Sequence, residues 1–182
     1  GPKGGLLLGT HNDDNLYGAQ GHDLLYAGAG NDALDGGQGL NHAIFVGDQS
    51  QYEVIRISDD TVQIADQIQD RDGTDSLTRV QRVDFADYSV GFDVQAGQST
   101  GVAYRMYGVL DRAPDLEGLG YWIADFDNGL GLIGMAQSFL DSKEYVQAHE
   151  NGLTDDQFLT QLYEDVLKRN PDEAGNEYWL QQ

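Results

Sequence analysis

Three nonapeptides, GTHNDDNLY (residues 9–17), GAQGHDLLY (18–26) and AGAGNDALD (27–35), follow one another without a gap and decide how this chain folds. An aspartate fills the sixth position of each, as Asp14, Asp23 and Asp32, and a leucine fills the eighth. Small and turn-prone residues crowd the first four positions. Repetition at a fixed short period indicates a stacked architecture in which neighbouring units build a core together.

A fourth unit, GGQGLNHAI (36–44), keeps the glycines but has Asn41 and Ala43 where the aspartate and the leucine stand in the others. We therefore predict that the array ends at this unit. Each unit combines a turn with a minimal strand, so two units make one coil. Turns that are two units apart in the sequence then lie on the same side of the stack.

Adjacent coils of a parallel stack lie ~4.8 Å apart, which places Asp14 over Asp32 and Asp23 over Asn41. Two carboxylates at ~5 Å repel each other by roughly 3 kcal/mol when the effective dielectric is about 20. A divalent cation between them would reverse the sign of that energy. The donors are all oxygen and the chain has no cysteine, which favours calcium over the strictly octahedral magnesium.

We predict two calcium sites, one through Asp14 and Asp32 and a weaker one through Asp23 and Asn41. The turn residues expected to complete them, largely with backbone carbonyl oxygens, are Gly9, Asn12, Gly21, Gly28, Gly30, Gly37 and Gly39. Each unit offers one inward leucine, which is a small apolar gain against the entropy of ordering the unit. Metal binding should therefore coincide with folding.

The motif and its period resemble the RTX (repeats-in-toxin, hemolysin-type) proteins over roughly residues 6–47. The resemblance implies a calcium-stacked parallel β-roll in a protein exported by a one-step (type I) apparatus that recognises a distal C-terminal signal. The sequence departs from the pattern where Thr10, Asn12, Ala19 and Ala27 replace glycines. A metal-free, glycine-rich β-solenoid is the alternative.

The chain has 31 acidic and 10 basic side chains, and this excess repels nucleic acid and anionic membranes while leaving cations as partners. It has no apolar run long enough to cross a bilayer and no hydrophobic signal-peptide core at its N-terminus. We interpret Gly1 and Pro2 as a protease-cleavage scar and the chain as an excised piece of a longer protein. We expect a secreted, extracellular or cell-surface bacterial protein that is exported without a cleavable N-terminal signal.

Residues 48–98 change to strand patterns, namely QYEVIRI, TVQIAD, RVQRVDF and SVGFDV. We predict antiparallel strands that continue from the roll and cap its open end. The loop 66–75 (DQIQDRDGTD) places Asp70, Asp72 and Asp75 around a glycine somewhat as metal-binding loops do. It lacks the distal glutamate of an EF-hand, so an ordinary acidic turn is the favoured interpretation and a calcium ligand set is the alternative.

A second repeat lies in the C-terminal part, where LDRAPDLEGLGYW (110–122) recurs as LKRNPDEAGNEYW (167–179). Apolar residues at helical spacing precede each copy, which predicts an all-α domain of duplicated units over residues 99–182. The second copy stops soon after Trp179, so it is either cut short or completed by a partial unit. Residues 101–182 resemble a bacterial family of unknown function, common in surface-layer and RTX proteins, with the signature L-x-R-x-P-D-x-x-G-x-x-Y-W.

The candidate ligand-binding residues of this repeat are Arg112, Tyr121 and Trp122, with their counterparts Arg169, Tyr178 and Trp179. An arginine beside aromatic rings suits a carboxylate or a sugar. The favoured alternative is structural, with each arginine paired to the nearby aspartate and each tryptophan in the helical core. The spacing of Asp111, Asp115 and Glu117 also fits a calcium loop, although helix capping produces the same spacing.

The segment GQSTG (97–101) has the letters of a nucleophile elbow. The only downstream histidine of the sequence, His149, belongs to the helical repeat, and no large parallel sheet is expected around the serine. Ser99 or Thr100 as a helix N-cap explains the segment without chemistry. We therefore predict no catalytic residue in this chain.

Together these patterns predict an α+β chain with a β-roll over 1–47, capping strands over 48–98 and a helical repeat domain over 99–182. The expected function is a calcium-dependent folding and binding module that supports adhesion, surface attachment or export-coupled folding. Calcium is the expected partner, with a cell-surface glycan or protein as a further one. The alternatives are an accessory region of an exported protease, lipase or polysaccharide-modifying enzyme, and a carbohydrate-binding module.

Overall fold

The computed structural model describes residues 4–95, 97–110, 112–148, 154–167, 170–172 and 180. The chain divides into two compact units, Gly1–Asp93 and Val94–Gln182. Strands make up the first unit and helices the second, which confirms the predicted α+β class. Within the described ranges, no helix combines the length and the apolar character that a membrane span requires.

Two five-stranded sheets build the first unit, and the short N-terminal strands alternate between them. One sheet has the order β1-β3-β5-β9-β10, with strands Leu6–Leu8, Leu24–Tyr26, His42–Ile44, Arg82–Asp84 and Ser89–Gly91. The other has the order β2-β4-β8-β7-β6, with strands Asn15–Tyr17, Ala33–Asp35, Thr74–Thr78, Thr61–Asp66 and Tyr52–Arg56.

The strands of the nonapeptide array pair in parallel with the register that the repeat predicts. Leu7 pairs with Leu25 in one sheet, and Leu16 pairs with Leu34 in the other. The middle residue of each three-residue strand points to the core, so Leu25 and Leu34 are buried while their neighbours along the strand are more exposed. Each unit therefore contributes one main apolar side chain to the interior.

The nonapeptide units end at residue 44, but the stack of parallel strands continues beyond them, which was not predicted from the sequence. Strand β8 pairs in parallel with β4, which places Leu77 beside Leu34, and β9 pairs in parallel with β5. The segment DGTDSL (72–77) forms this extra coil because its glycine, aspartate and leucine have the spacing of a repeat unit. A hairpin inserted before it interrupts the period, so residues 66–75 have the appearance of a plain acidic loop in the sequence.

Antiparallel strands close this end of the stack, as the sequence predicts for β6, β7 and β10. Strand β7 pairs with β8 and with β6, and β10 pairs with β9, so both sheets gain an antiparallel outer strand. Three aromatic rings pack beneath these strands. The Tyr52 ring lies 5.4 Å from that of Phe45 and 5.1 Å from that of Phe85, measured between centroids.

Helices build the second unit, and they are α1 (Ser99–Met106), α2 (Leu116–Asp127), α3 (Leu132–Leu140), α4 (Lys143–Ala148) and α5 (Asp155–Leu167). A 3-10 turn, Tyr107–Leu110, continues α1. Ala103 and Tyr107 are buried with Met135 and Phe139 in the core of this unit.

The sequence predicts N-terminal caps for three helices whose starts the structure describes, α1, α2 and α5. Two of these predictions are correct. The Asp115 carboxylate accepts the Gly118 N–H at 2.7 Å and begins α2. At the start of α5, the Thr154 hydroxyl accepts the Gln157 N–H at 3.2 Å. The Gln157 side-chain oxygen in turn accepts the Thr154 N–H at 2.9 Å. The predicted cap of α1 is wrong, because the backbone turns helical directly after Gln98 rather than after Ser99 or Thr100.

Candidate metal centre

Two rows of side chains follow the turns on the two edges of the stack. The acid row consists of Asp14, Asp32 and Asp75, which stand at the beginnings of β2, β4 and β8. The amide row consists of Asp23, Asn41 and Gln81, which stand before β3, β5 and β9. The predicted pairs, Asp14 with Asp32 and Asp23 with Asn41, are therefore neighbours in these rows, and Asp75 and Gln81 extend the rows beyond the array.

Backbone hydrogen bonds tie the acid row together from coil to coil. The Asp14 N–H donates to Oδ1 of Asp32 at 2.7 Å, and the Asp32 N–H donates to Oδ1 of Asp75 at 2.8 Å. At the outer end of the row, the Asp14 carboxylate accepts the N–H and the hydroxyl of Thr10 at 2.7 and 2.8 Å. Threonine at this position thus gives Asp14 two donors within its own turn.

The amide row has the same ladder of bonds but fewer charges. The Asp23 N–H donates to Oδ1 of Asn41 at 3.0 Å, and the Asn41 N–H donates to Oε1 of Gln81 at 2.8 Å. The Asn41 amide nitrogen also donates to the Arg79 carbonyl at 3.2 Å. Asp23 accepts the N–H groups of Gly5 and Ala19 through its two oxygens. Asn41 is therefore bonded through both polar atoms of its side chain.

The predicted turn residues lie in the stacked turns, backbone against backbone. Gly28 has a φ of 93°, and a Cβ there would lie 2.0 Å from the Thr10 carbonyl oxygen. Gly73, which has the turn position of Gly30, approaches the next coil as closely, with a φ of 80° and a Cβ position 1.9 Å from the Gly30 carbonyl oxygen. Positive φ values also occur at Gly21, Gly30, Gly37 and Gly39. Of the remaining predicted ligands, the Gly9 N–H donates to the Tyr26 carbonyl and the Asn12 N–H to the Thr10 hydroxyl.

The last pair of the acid row carries two oxygens that lack a hydrogen-bond donor. Oδ2 of Asp32 and Oδ2 of Asp75 are buried, and no described residue donates to either atom. The two residues are 3% and 0% exposed. Burial, reinforced by the charges of the neighbouring acids, raises the pKa of both carboxyls, for Asp75 to about 8. The folded chain therefore holds two carboxyls in a place that penalises their negative charge.

Buried carboxylate oxygens without donors are the groups that a hard cation stabilises. In the part of the chain that the structure describes, no three histidine or acidic side chains are arranged to hold a metal by themselves. Carbonyl oxygens of the stacked turns would therefore supply most of the ligands, which suits calcium because it accepts many oxygen donors in flexible geometry. By this test the residues of the acid row fit calcium.

The three acids of the predicted 66–75 loop do not come together as one site. Asp70 is exposed and has a φ of 57°. Asp72 is buried in the cap, where its carboxylate accepts the Tyr52 hydroxyl and, at 3.4 Å, the Val46 N–H. Asp75 alone joins the acid row. The signal that the sequence offered was the order Gly73, Asp75, Leu77, which matches a repeat unit.

In the first copy of the helical repeat, Arg112 and Trp122 contact other residues of the same helical unit. The Arg112 guanidinium bonds both oxygens of Glu144, contacts Asp115 at 3.4 Å and lies over the Tyr107 ring at 4.9 Å. The Trp122 ring packs against Phe139 with centroids 4.7 Å apart. These contacts support the structural interpretation of Arg112 and Trp122.

Of the other candidate residues of the helical unit, the structure describes Tyr121 and Ser99. Tyr121 is exposed beside Trp122, with the two ring centroids 5.0 Å apart. Asp111, His149, Arg169, Tyr178 and Trp179 lie outside the described residues. Ser99 is the first residue of α1 and follows residues 92–95, which form no strand, so the strand–turn–helix context of a nucleophile elbow is not seen in the described residues before it.

Residues 8–42 match the family described as RTX calcium-binding nonapeptide repeat (4 copies), and residues 136–182 match the one described as Domain of unknown function (DUF4214). Both resemblances inferred from the sequence are confirmed over these residues. The search of the curated proteins found no match. Among solved structures, the extracellular lipase LipA from Serratia marcescens aligns with 45% of this chain at 18% identity and a TM-score of 0.28. The present chain covers 13% of that lipase.

Proposed function

Because residues 8–42 are RTX calcium-binding nonapeptide repeats, we propose that the first unit is a β-roll that folds on binding calcium and serves a secreted bacterial protein as a folding and binding module. The observation that carries this proposal is the pair of buried, donor-free carboxylate oxygens in the acid row. Burying such atoms on folding costs free energy, so an ion that binds them stabilises the folded state.

The acid row and the amide row would contribute unequally to this binding. Asp14 and Asp32 offer two carboxyl groups on neighbouring coils and form the stronger site. Asp23 faces the neutral Asn41, whose side-chain oxygen already accepts a backbone bond, so this site is the weaker one. Calcium, when bound, supplies the positive charge that turns repulsion between the turns into attraction.

The environment outside the cell would control this folding. Extracellular calcium-binding modules have dissociation constants on the order of 10⁻⁴–10⁻³ M. The calcium concentration in the cytosol is far lower, so the repeats would stay unfolded and competent for type I export inside the cell. Folding after export would then present the chain for adhesion, surface attachment or assembly. The high negative charge favours the unfolded state until the ions bind, because the acids of the stacked turns repel one another.

The second unit is proposed to contribute the attachment function, with Tyr121 as an exposed aromatic group beside Trp122 and a cell-surface glycan or protein as its partner. The alternative is an accessory region of an exported protease, lipase or polysaccharide-modifying enzyme. The sequence that flanks this chain in its parent gene distinguishes the two, because an enzyme would carry a catalytic domain there.

Titration of the metal-free chain with calcium chloride tests the proposed folding. We expect the far-UV circular dichroism to gain strand signal as calcium rises, and isothermal calorimetry to show binding over the same range of concentration. The variant Asp32→Asn should lose most of this response, because Asp32 lies between its two partners in the acid row. Asp70→Asn removes an exposed charge of the same size and should behave as the wild type. A spectrum that calcium leaves unchanged contradicts the proposal.

A further inference from the structure

We propose that the acid row binds a further calcium ion at its last step, between the turns 28–32 and 71–75, with Asp32 and Asp75 as its carboxylate ligands. One side of this site lies outside the nonapeptide array, since Asp75 is separated from the matched residues 8–42 by a long insertion. The proposal rests on the proposed function, because it extends the same row of ligands by one coil.

The backbone places Asp75 where a repeat aspartate would stand. Ala33 pairs with Ser76 and Leu34 with Leu77, so Asp32 and Asp75 are the residues immediately before the paired segment in each turn. The bond from the Asp32 N–H to Oδ1 of Asp75 reproduces the bond from the Asp14 N–H to Oδ1 of Asp32 one coil earlier. The chain thus rebuilds the geometry of a repeat turn after an interruption.

Gly73 supports the same conclusion from the backbone. It has a positive φ and packs against the Gly30 carbonyl as closely as Gly28 packs against that of Thr10. This close approach brings the carbonyl-bearing turns 28–32 and 71–75 into direct contact. Backbone oxygen donors are therefore at hand for an ion that the two carboxylates would hold.

The unbonded oxygens point to a cation rather than to a purely structural role. One oxygen of Asp75 suffices to accept the Asp32 N–H, and an amide would do this equally well. The amide row shows that alternative at the same level, where the Gln81 side chain accepts the Asn41 N–H without bringing a charge. Asp75 adds a second oxygen that is buried and without a donor among the described residues, as is the equivalent oxygen of Asp32.

The nearby arginines do not neutralise this pair. Arg71 donates to both oxygens of Asp66, and Arg79 forms an ion pair with Asp35. Among the described residues, no salt bridge to Asp32 or Asp75 is formed. A divalent ion from solution would balance the charge of two adjacent buried acids that have no side-chain cation, and calcium is the ion that their oxygen-only surroundings favour.

Counting calcium ions per chain tests the site. Calorimetric titration of metal-free protein with calcium chloride should give one ion fewer for Asp75→Asn than for the wild type. The asparagine keeps the acceptor for the Asp32 N–H and removes the charge. Asp70→Asn, the matched control from the same loop, should bind the full number. Asp32→Asn should lose more ions than Asp75→Asn, because Asp32 would serve ions on both of its sides.

A full count of ions on Asp75→Asn with unchanged affinity would overturn the proposal and make Asp75 a structural acid. Wild-type crystals grown in calcium decide the case where a variant fails to fold. An anomalous peak in contact with Oδ2 of both Asp32 and Asp75 supports the site, and an empty position there with ions elsewhere in the row rejects it. If the wild type binds no calcium at all, the proposed function fails as well, so the two failures are distinguishable.

Discussion

Gly73 lies so close to the turn beside it that no other residue fits without moving the backbone. A Cβ at this position would stand 1.9 Å from the Gly30 carbonyl oxygen. The close approach brings the backbone carbonyl oxygens of two turns together, where both turns would supply ligands to the proposed ion. The same contact makes this glycine a sensitive point of the fold, and a substitution there measures how tightly the last coil is held.

Replacing Gly73 by alanine should destabilise the first unit by more than about 2 kcal/mol, because a positive φ costs alanine roughly 1–2 kcal/mol and the clash adds to it. Gly97→Ala is the control, since Gly97 has a similar φ of 84° but nothing within 4 Å of the Cβ position. It should cost its own unit about 1 kcal/mol. Hydrogen exchange followed by mass spectrometry in saturating calcium reports both units separately. Equal losses in the two variants would mean that the close approach is not what matters.

The residues of the acid and amide rows show how far the sequence could predict the candidate site. The period alone placed Asp14 beside Asp32 and Asp23 beside Asn41, because a fixed repeat converts sequence distance into position in the stack. It did not place Asp75 in the row, since residues 45–71 break the period before the motif resumes, and Asp75 was a candidate ligand only as one acid of the 66–75 loop. The local pattern of Gly73, Asp75 and Leu77 was present, but three residues without a neighbouring repeat are too common to identify a coil.

At the scale of elements, Arg112 connects the loop before α2 to helix α4. Its guanidinium bonds both oxygens of Glu144, and this hydrogen bonding holds the pKa of the Glu144 carboxyl below its usual value. A carboxyl with a lowered pKa in the folded state contributes stability above its unfolded pKa. That contribution is lost as the pH falls through the folded value.

Glu144→Gln should therefore lower the stability of the helical unit at neutral pH and have little effect in strong acid. The difference should be small, about 0.2–1 kcal/mol, because both side chains are partly exposed to solvent. Thermal unfolding of wild type and variant in calcium, followed at several pH values by tryptophan fluorescence, measures it. A difference that stays constant from neutral pH to strong acid would show that the ion pair is not its source.

The elements themselves were predicted with uneven success. The helices α2 and α5 begin where the Asp115 and Thr154–Gln157 signals place them, because caps act through adjacent residues. Helix α1 ends at Met106, and a 3-10 turn carries the remaining apolar residues that the helical spacing had included. Apolar periodicity cannot separate these two helix types over so short a run. Strand β8 was missed because the segment in which it begins, DGTDSL (72–77), has a glycine and acids that are typical of a turn.

At the scale of the whole molecule, the formal net charge is -21. Two mechanisms could then make folding depend on calcium, namely general screening of repulsion and specific coordination in the acid row. Sodium chloride separates them, because the screening length falls from ~10 Å at 0.1 M salt to ~3 Å at 1 M. Sodium ions screen the surface but do not hold two buried carboxylates as a divalent ion does.

We expect sodium chloride at about 1 M, a salt level at which surface charges are largely screened, to leave the strand signal of the chelated protein largely unformed. Millimolar calcium should form it, and magnesium at the same concentration should be less effective because it requires strict octahedral geometry. Far-UV circular dichroism across the three titrations provides the measurement. Recovery of the full calcium spectrum in sodium chloride alone would assign the effect to screening.

The hairpin of β6 and β7 interrupts the succession of parallel strands after β5, and this succession resumes at β8. Its tip, Ser58–Asp60, is exposed to solvent. Since loop-closure entropy rises by only about 0.6 kcal/mol for each doubling of length, this excursion can lengthen at little cost. A foreign peptide grafted between Ser58 and Asp59 would thus be displayed on a scaffold that folds when calcium is added. A chelator would unfold the scaffold and end the display.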